Sequence, residues 1–291
     1  MIRDLGMKTF SSTHELDAQR EFLNLFKNSP IPDDEILQNI GLFINSKLFS
    51  RILFFYNIYI QQLPIHGVIM DFGTRWGQNM SIFSALRGIY EPFNRHRKII
   101  GFDTFKGFPA VSEKDGSDKA VKQSGYNVTE NYDNYLSNII ACQEKFNPMG
   151  HIKKYEIIKG DATQTLKDYL SKHPETMVSL AYFDMDLYEP TKQCLKLLKP
   201  HLNKGCIIGF DELCDETFPG ETLAFREVFG QRYKVNRLPI TSRASYIILE
   251  NEINQLRVHK LKCINCNGTG KKDGTKCDWC DGTGYGITDV E

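Results

Sequence analysis

The stretch Gly67-Val-Ile-Met-Asp-Phe-Gly-Thr-Arg-Trp-Gly-Gln-Asn79 decides the fold. A short, continuously apolar run ends at Asp71 and passes into a turn holding Gly73 and Gly77. Continuous apolar runs of this length are the mark of strands buried on both faces. The two glycines permit a tight strand-to-helix turn and let a ligand approach the backbone. An amphipathic segment over 78–90 follows, so the unit is strand, glycine turn, helix.

Four more runs repeat the pattern: Lys98–Asp103, Tyr155–Asp161, Val178–Asp184 and Cys206–Asp211. Helical segments over about 163–172 and 189–202 lie between them. Strands alternating with helices predict an open α/β sheet, Rossmann-like and mostly parallel. Runs near Tyr233–Arg237 and Ser245–Glu250 complete it, with an antiparallel edge. Upstream, residues 1–62 read as helical: Pro30–Glu35 feeds a helix through Ile36, Ile40 and Phe43, and a second amphipathic segment covers about 47–62. A polar insertion over about 110–150, with a helix near Tyr132–Glu144, is long enough to serve as a lid or substrate loop. The domains expected are therefore 1–62, 63–252 and a cysteine-rich 258–288.

Composition excludes several classes. The 291 residues are 41% hydrophobic and 25% charged, enough apolar material for a core and inconsistent with disorder throughout. Lys and Arg together number 36 and so do Asp and Glu, which argues against a nucleic-acid partner. The richest apolar run, Ile52–Ile60, is far shorter than the roughly 20 residues that span a bilayer. With no signal-peptide pattern at the start, we place the protein in the cytoplasm, with reduced thiols.

All five main runs end in Asp, and ligands of open α/β sheets bind beyond the carboxyl ends of the strands. The turn is not Gly-x-Gly-x-x-Gly, which weighs against a dinucleotide. Asp103 stands where an acid accepts hydrogen bonds from ribose hydroxyls. Asp161 stands where one reaches an adenine amino group, although it also falls where it would cap a helix from Thr163. With Asp71, these acids suit an adenosine carrying a cationic group, as in S-adenosylmethionine. Asp71, Gly73, Thr74, Gly77, Asn79, Asp103, Thr104, Asp161 and Asp184 form the expected cofactor set. Asp184, Asp186, Asp211 and Glu212 crowd four carboxylates onto two strand ends. Such packing costs repulsion unless a proton or a hard cation such as Mg²⁺ relieves it.

Four segments in order carry a resemblance: Gly67–Asn79, Phe102-Asp-Thr-Phe-Lys-Gly-Phe-Pro109, Asp184-Met-Asp-Leu-Tyr-Glu-Pro-Thr191 and Gly205–Leu213. Over about 35–250 the chain resembles the macrocin-type sugar O-methyltransferases of the TylF, MycF and NovP group. That resemblance implies a class I, Mg²⁺-requiring methyltransferase acting on a sugar or glycoside. It implies Asp184, Asp211 and Glu212 as ligands of Mg²⁺ and Asp186 as general base. The sequence departs from the family in opening its first motif with Asp71 rather than Glu, in Arg75-Trp76-Gly77 where Arg-Gly-Gly is common, and in Asp211-Glu212 where Asp-Asp is frequent. Homodimers are common in this class, so a homodimer is an expectation by analogy.

Cys263-Ile-Asn-Cys-Asn-Gly-Thr-Gly270 and Cys277-Asp-Trp-Cys-Asp-Gly-Thr-Gly284 repeat Cys-x-x-Cys-x-Gly-x-Gly. Four thiolates, Cys263, Cys266, Cys277 and Cys280, predict a closed structural Zn²⁺ site. The module resembles half of the cysteine-rich region of DnaJ-type chaperones. So small a unit needs the ion to fold, and it could dock a protein partner. Two other readings use the same residues: a methyltransferase for a catechol-like diol, and a non-catalytic binding module.

Overall fold

The computed structural model describes residues 11–117, 121–122, 124–250, 261–262, 266, 269–277 and 285–286. Those up to Glu250 form one compact unit and those from Asn251 onward a second. The described helices of the segment expected at 1–62 fall in the first unit.

Helix α1 (Thr13–Lys27) starts at a capping box between Ser12 and Glu15. The helix expected through Phe43 is broken: α2 (Asp33–Ile36) stops early, and Ile40–Phe43 form a 3₁₀ turn. Asn39 and Gly41 are poor helix formers, which accounts for the break. Helix α3 (Ser46–Gln62) is capped by Asn45, whose Oδ1 accepts from Leu48 N at 2.8 Å. Its Phe54, Phe55, Ile58 and Tyr59 are buried against the sheet, which is why it belongs to the first unit.

The chain then runs through β1 (Val68–Phe72), α4 (Gln78–Tyr90), β2 (Ile99–Asp103), α5 (Tyr132–Phe146), β3 (Tyr155–Lys159), α6 (Ala162–Lys172), β4 (Val178–Phe183), α7 (Tyr188–Leu198), β5 (Leu202–Phe210), α8 (Gly220–Phe229), β6 (Asn236–Arg237) and β7 (Ser245–Ile248). The sheet order is β3-β2-β1-β4-β5-β7-β6. Neighbours from β3 to β5 are parallel, and β7 pairs antiparallel with both β5 and β6. Alternation along the strands divides the core: Met70 and Phe72 pack with α6, α7 and α8, while Ile69 packs with α3, α4 and α5.

One row of this sheet positions the site. Phe102, Phe72, Phe183 and Phe210 lie in register across four strands. Phe72 stacks on Phe102 and Phe183 at centroid distances of 4.9 and 4.7 Å, and Phe183 on Phe210 at 5.6 Å. Each such contact adds about 0.5–1.5 kcal/mol beyond area burial. The register that aligns the rings also aligns the residues after them: Asp103, Gly73, Asp184 and Asp211.

In the second unit β8 (Leu261–Lys262) pairs with β11 (Tyr285–Gly286), and β9 (Lys271–Lys272) with β10 (Thr275–Lys276). The latter pair turns through Asp273 and Gly274, both at positive φ, as a two-residue hairpin requires. Among the described residues no helix is long and apolar enough to cross a membrane.

Candidate active site

Not every strand-terminal acid reaches the crevice. Asp71 lies inside β1, not beyond its end, and is fully buried on the α3 and α4 side. Its Oδ1 accepts from Asn79 Nδ2 at 3.0 Å, while Oδ2 has no hydrogen-bond partner. Burial, only partly offset by Asn79 and Thr74, pushes its pKa up to about 6. It supports the floor through Asn79, which does line the cavity. Gly73 has φ +85°, and a side chain there would collide with the Asp184 carbonyl. Gly77 opens α4 in the left-handed region and has Leu136 of α5 pressed against it. Its close approach is therefore to the protein's own helix.

A cavity of about 400 Å³ begins beside this turn. Gly73, Thr74, Asn79, Asp103, Thr104 and Asp161 line one part of it, and Asp184, Asp186, Asp211 and Glu212 another. Asp103 is held by the backbone: Oδ2 accepts from Arg75 N at 2.7 Å and Oδ1 from Phe105 N at 2.5 Å. Burial still leaves its pKa raised. Thr104 Oγ1 donates to Gly107 O at 2.7 Å, closing the following turn. Asp161 caps α6, accepting from Thr163 N at 2.9 Å and from Thr163 Oγ1 at 2.8 Å. The insertion contributes Pro109 and Tyr126 to the wall. The Tyr126 ring carries the Arg75 guanidinium 4.7 Å above its centroid.

Asp184, Asp186 and Glu212 bring one carboxylate oxygen each within 4.8 Å of the others. Burial comes first in raising Asp184 and Glu212 well above the usual carboxylate range, and the surrounding acids add to it. Asp186, at φ +61°, is pushed to about 6, chiefly by burial. Asp211 lies outside this 4.8 Å set. Its Oδ1 accepts from Arg51 Nη1 and from the Tyr182 hydroxyl, both at 2.6 Å. Burial raises its pKa, but Arg51 and Tyr182 outweigh that and hold it below the usual value.

Three groups here escape a reading of the sequence alone. Arg51 Nη2 also donates to Asp184 Oδ2 at 2.7 Å and to Asn79 Oδ1 at 3.2 Å. Arg243 pairs with Glu212 at 3.3 Å and Asp215 at 3.0 Å. Glu221, in the first turn of α8, is fully buried and accepts three backbone N–H groups: Met185 at 3.1 Å, Asp186 at 3.3 Å and Glu212 at 3.2 Å. Helical spacing contains a signal for two of them. Arg51 precedes Phe55 by four residues and Glu221 precedes Phe225 by four, so each places a charge on its helix's apolar stripe. Arg243, in a loop, carries no such signal.

No protein-family model matches the chain, and no curated protein does. Among solved structures, CalS11, a calicheamicin methyltransferase, is 38% identical with a TM-score of 0.80, covering 82% of this chain and 94% of its own. The chain belongs to the sugar O-methyltransferase family. It is an S-adenosylmethionine-dependent O-methyltransferase with the Rossmann-like class I fold. A second CalS11 structure, described as an apo TDP-rhamnose 3'-O-methyltransferase, is 35% identical with a TM-score of 0.73, covering 82% of this chain and 96% of that one. The O-methyltransferase NovP, 18% identical with a TM-score of 0.53, covers 69% of this chain and 80% of its own and shares the fold.

Proposed function

We propose that this enzyme methylates a hydroxyl of a sugar or glycoside, with Asp186 as general base and Mg²⁺ held by Asp184, Asp211 and Glu212. One observation carries the reading: buried carboxylates converge at the end of the cavity that begins at the glycine turn. Six acids line that cavity, Asp103, Asp161, Asp184, Asp186, Asp211 and Glu212, against three arginines, Arg51, Arg75 and Arg243. The negative surplus fits a cationic donor and a divalent ion together. Glu212 Oε2 is buried with no hydrogen-bond partner, as expected of an oxygen reserved for a cation. The 3'-O-methyltransferase activity of CalS11 on TDP-rhamnose supports a sugar acceptor.

S-adenosylmethionine supplies the sulfonium methyl group, and Mg²⁺, when bound, supplies charge that acidifies an acceptor hydroxyl. The chain does the rest. Asp103 accepts from the ribose hydroxyls while its backbone bonds keep it fixed. Asp161 reaches the adenine amino group with the oxygen its cap leaves over. Gly73 and Thr74 let the donor lie against the backbone. Asp186 takes the hydroxyl proton on its carboxylate, whose burial makes it more basic than an exposed Asp. Trp76 and Tyr126 line the cavity. A second assignment, favoured by the 4.8 Å trio, gives the ion to Asp184, Asp186 and Glu212 and leaves Asp211 to Arg51.

The second unit fits a Zn²⁺ held by Cys263, Cys266, Cys277 and Cys280. Cys266 and Cys277 are buried, and Gly270 N donates to Cys266 Sγ at 3.3 Å. Cys263 and Cys280 lie outside the described residues. We read the protein as cytoplasmic, as a homodimer by analogy, and the cysteine module as a structural element that can dock a protein partner. The deciding experiment tracks methyl transfer by mass spectrometry with a panel of nucleotide sugars and glycosides, with Mg²⁺ or EDTA. We expect Mg²⁺-dependent product from the enzyme and a loss of at least 100-fold in kcat for Asp186→Asn. Full turnover in EDTA removes the metal from the reading, and full turnover of Asp186→Asn removes the base.

A further inference from the structure

Arg51 stands at the centre of the acidic site, although the reaction assigns it nothing. Its guanidinium bridges two strand ends, with Nη1 2.6 Å from Asp211 Oδ1 and Nη2 2.7 Å from Asp184 Oδ2. Both acids belong to the set that resemblance gives to Mg²⁺, and Asp184 belongs to the alternative trio as well. We infer that Arg51 is the resident counter-cation of this centre and sets the affinity for the divalent ion, which must bind against it. The inference rests on the metal reading proposed above.

Three observations support it. First, the paired carboxylates repel unless neutralised, and among the described residues Arg51 is the cation within ion-pair distance of both Asp184 and Asp211, Arg243 reaching Asp211 alone of the two at 3.9 Å. Second, the guanidinium is placed by something other than those acids. It lies 5.1 Å above the Phe55 ring, one turn along α3, and Asn79 accepts from it. The protein therefore keeps a positive charge there when no other cation is bound. Third, Arg51 is not locked in the core. Its side chain is 28% exposed and lines a second cavity, of about 650 Å³, which Asp211 also lines. Ser46, Ser50 and Thr241 line that cavity and offer hydroxyls to a displaced guanidinium. Arg51 can thus give up Asp184 and Asp211 without entering an apolar space.

A residue that merely held the two acids in place would have the opposite effect on the metal. Removing it would splay the ligands and weaken binding. Removing a competing charge tightens binding instead, so the sign of the change separates the two roles. We expect Arg51→Met and Arg51→Gln to bind Mg²⁺ at least tenfold more tightly than the wild type. Arg51→Lys, which restores a point charge, should return to within about threefold of the wild type.

Calorimetric titration of the full-length chain with MgCl₂ reads this directly, with S-adenosylhomocysteine binding as the control for a folded cofactor site. A second readout covers a variant too unstable to titrate. The metal-induced rise in Tm should be larger in Arg51→Met or Arg51→Gln than in the wild type, because only the metal-free protein loses its counter-cation. Equal or weaker Mg²⁺ binding by both neutral variants, with the wild type binding normally, overturns the role of Arg51 and leaves the metal reading standing. Absence of Mg²⁺ binding in wild type and variants alike, with S-adenosylhomocysteine still bound, overturns the metal reading and the inference with it.

Discussion

Glu221 is the perturbation with the most to lose. Its carboxylate joins the segment bearing Asp184 and Asp186 to the segment bearing Asp211 and Glu212, through N–H groups of Met185, Asp186 and Glu212. Gly220 beside it leaves no room for a side chain against the Asp186 carbonyl and the Leu187–Tyr188 backbone, so α8 abuts this loop closely. Glu221→Ala strands three buried donors at about 1–3 kcal/mol each. The gain is relief of a buried charge, since burial and then Asp186 and Asp184 raise the pKa of Glu221 well above the usual range. Water entering the space left by the side chain recovers part of the rest. The balance is a loss of about 2–4 kcal/mol. At about 2–4 °C per kcal/mol for a unit of this size, Tm falls by roughly 4–16 °C. Glu221→Gln keeps one acceptor oxygen but turns an amide toward one of the donors, so its loss is about half as large. Because Asp186 and Glu212 hang from the freed backbone, kcat should fall by about 100-fold at saturating donor, since a shift of about 1 Å is enough for that. KM for S-adenosylmethionine should change little, because Asp103 and the glycine turn are untouched. Thermal melts with S-adenosylhomocysteine, paired with initial rates, measure both. A Glu221→Ala enzyme with Tm within 1 °C of the wild type and unchanged kcat refutes the joining role of Glu221.

Three other outcomes are expected of the same structure. Asp71 has a folded-state pKa of about 6 against 3.8 when unperturbed, so the stability it contributes is present below pH 4 and lost as pH rises through 6; Asp71→Asn should gain up to about 3 kcal/mol over the wild type at pH 8 and nothing at pH 4, checked by urea unfolding at both pH values. Glu144 of α5 is 2% exposed and pairs with Arg87 of α4 and, at 2.8 Å, with Lys154; Glu144→Ala leaves two buried cations unpaired and should cost about 3–5 kcal/mol, again by denaturant titration. Purified protein should hold one Zn²⁺ per chain by elemental analysis, and Cys266→Ser with Cys277→Ser should lose it while S-adenosylhomocysteine still binds the first unit.

Much of the site is legible in the sequence because one local pattern repeats. Phe72-Gly73, Phe102-Asp103, Phe183-Asp184 and Phe210-Asp211 each end a buried strand. Parallel pairing in a common register stacks the rings and brings Gly73, Asp103, Asp184 and Asp211 to one edge. A pattern that recurs at four strand ends can be read from a single sequence, since the sheet supplies the missing dimension. Asp71 misleads for the same reason. It is the residue before the phenylalanine, so alternation sends it to the α3 and α4 face and not to the crevice. Arg51, Glu221 and Arg243 come from outside the strand ends, and the distances that matter join positions far apart in the chain, Arg51 to Asp211 above all. Periodicity shows that a charge lies on a buried stripe; only the packing of α3 and α8 against the strand ends shows which acid or which backbone it meets. A charge on the apolar stripe of a helix, fully buried at Glu221 and partly buried at Arg51, costs too much to be incidental. Its compensation here is found beside the reacting centre, where Arg51 and Glu221 each connect the Asp184 strand end to the Asp211 strand end. The acids that define the chemistry and the helices that neutralise and fix them are one construction. For that reason substitutions on α3 and α8 should change metal affinity and turnover while S-adenosylhomocysteine binding stays intact.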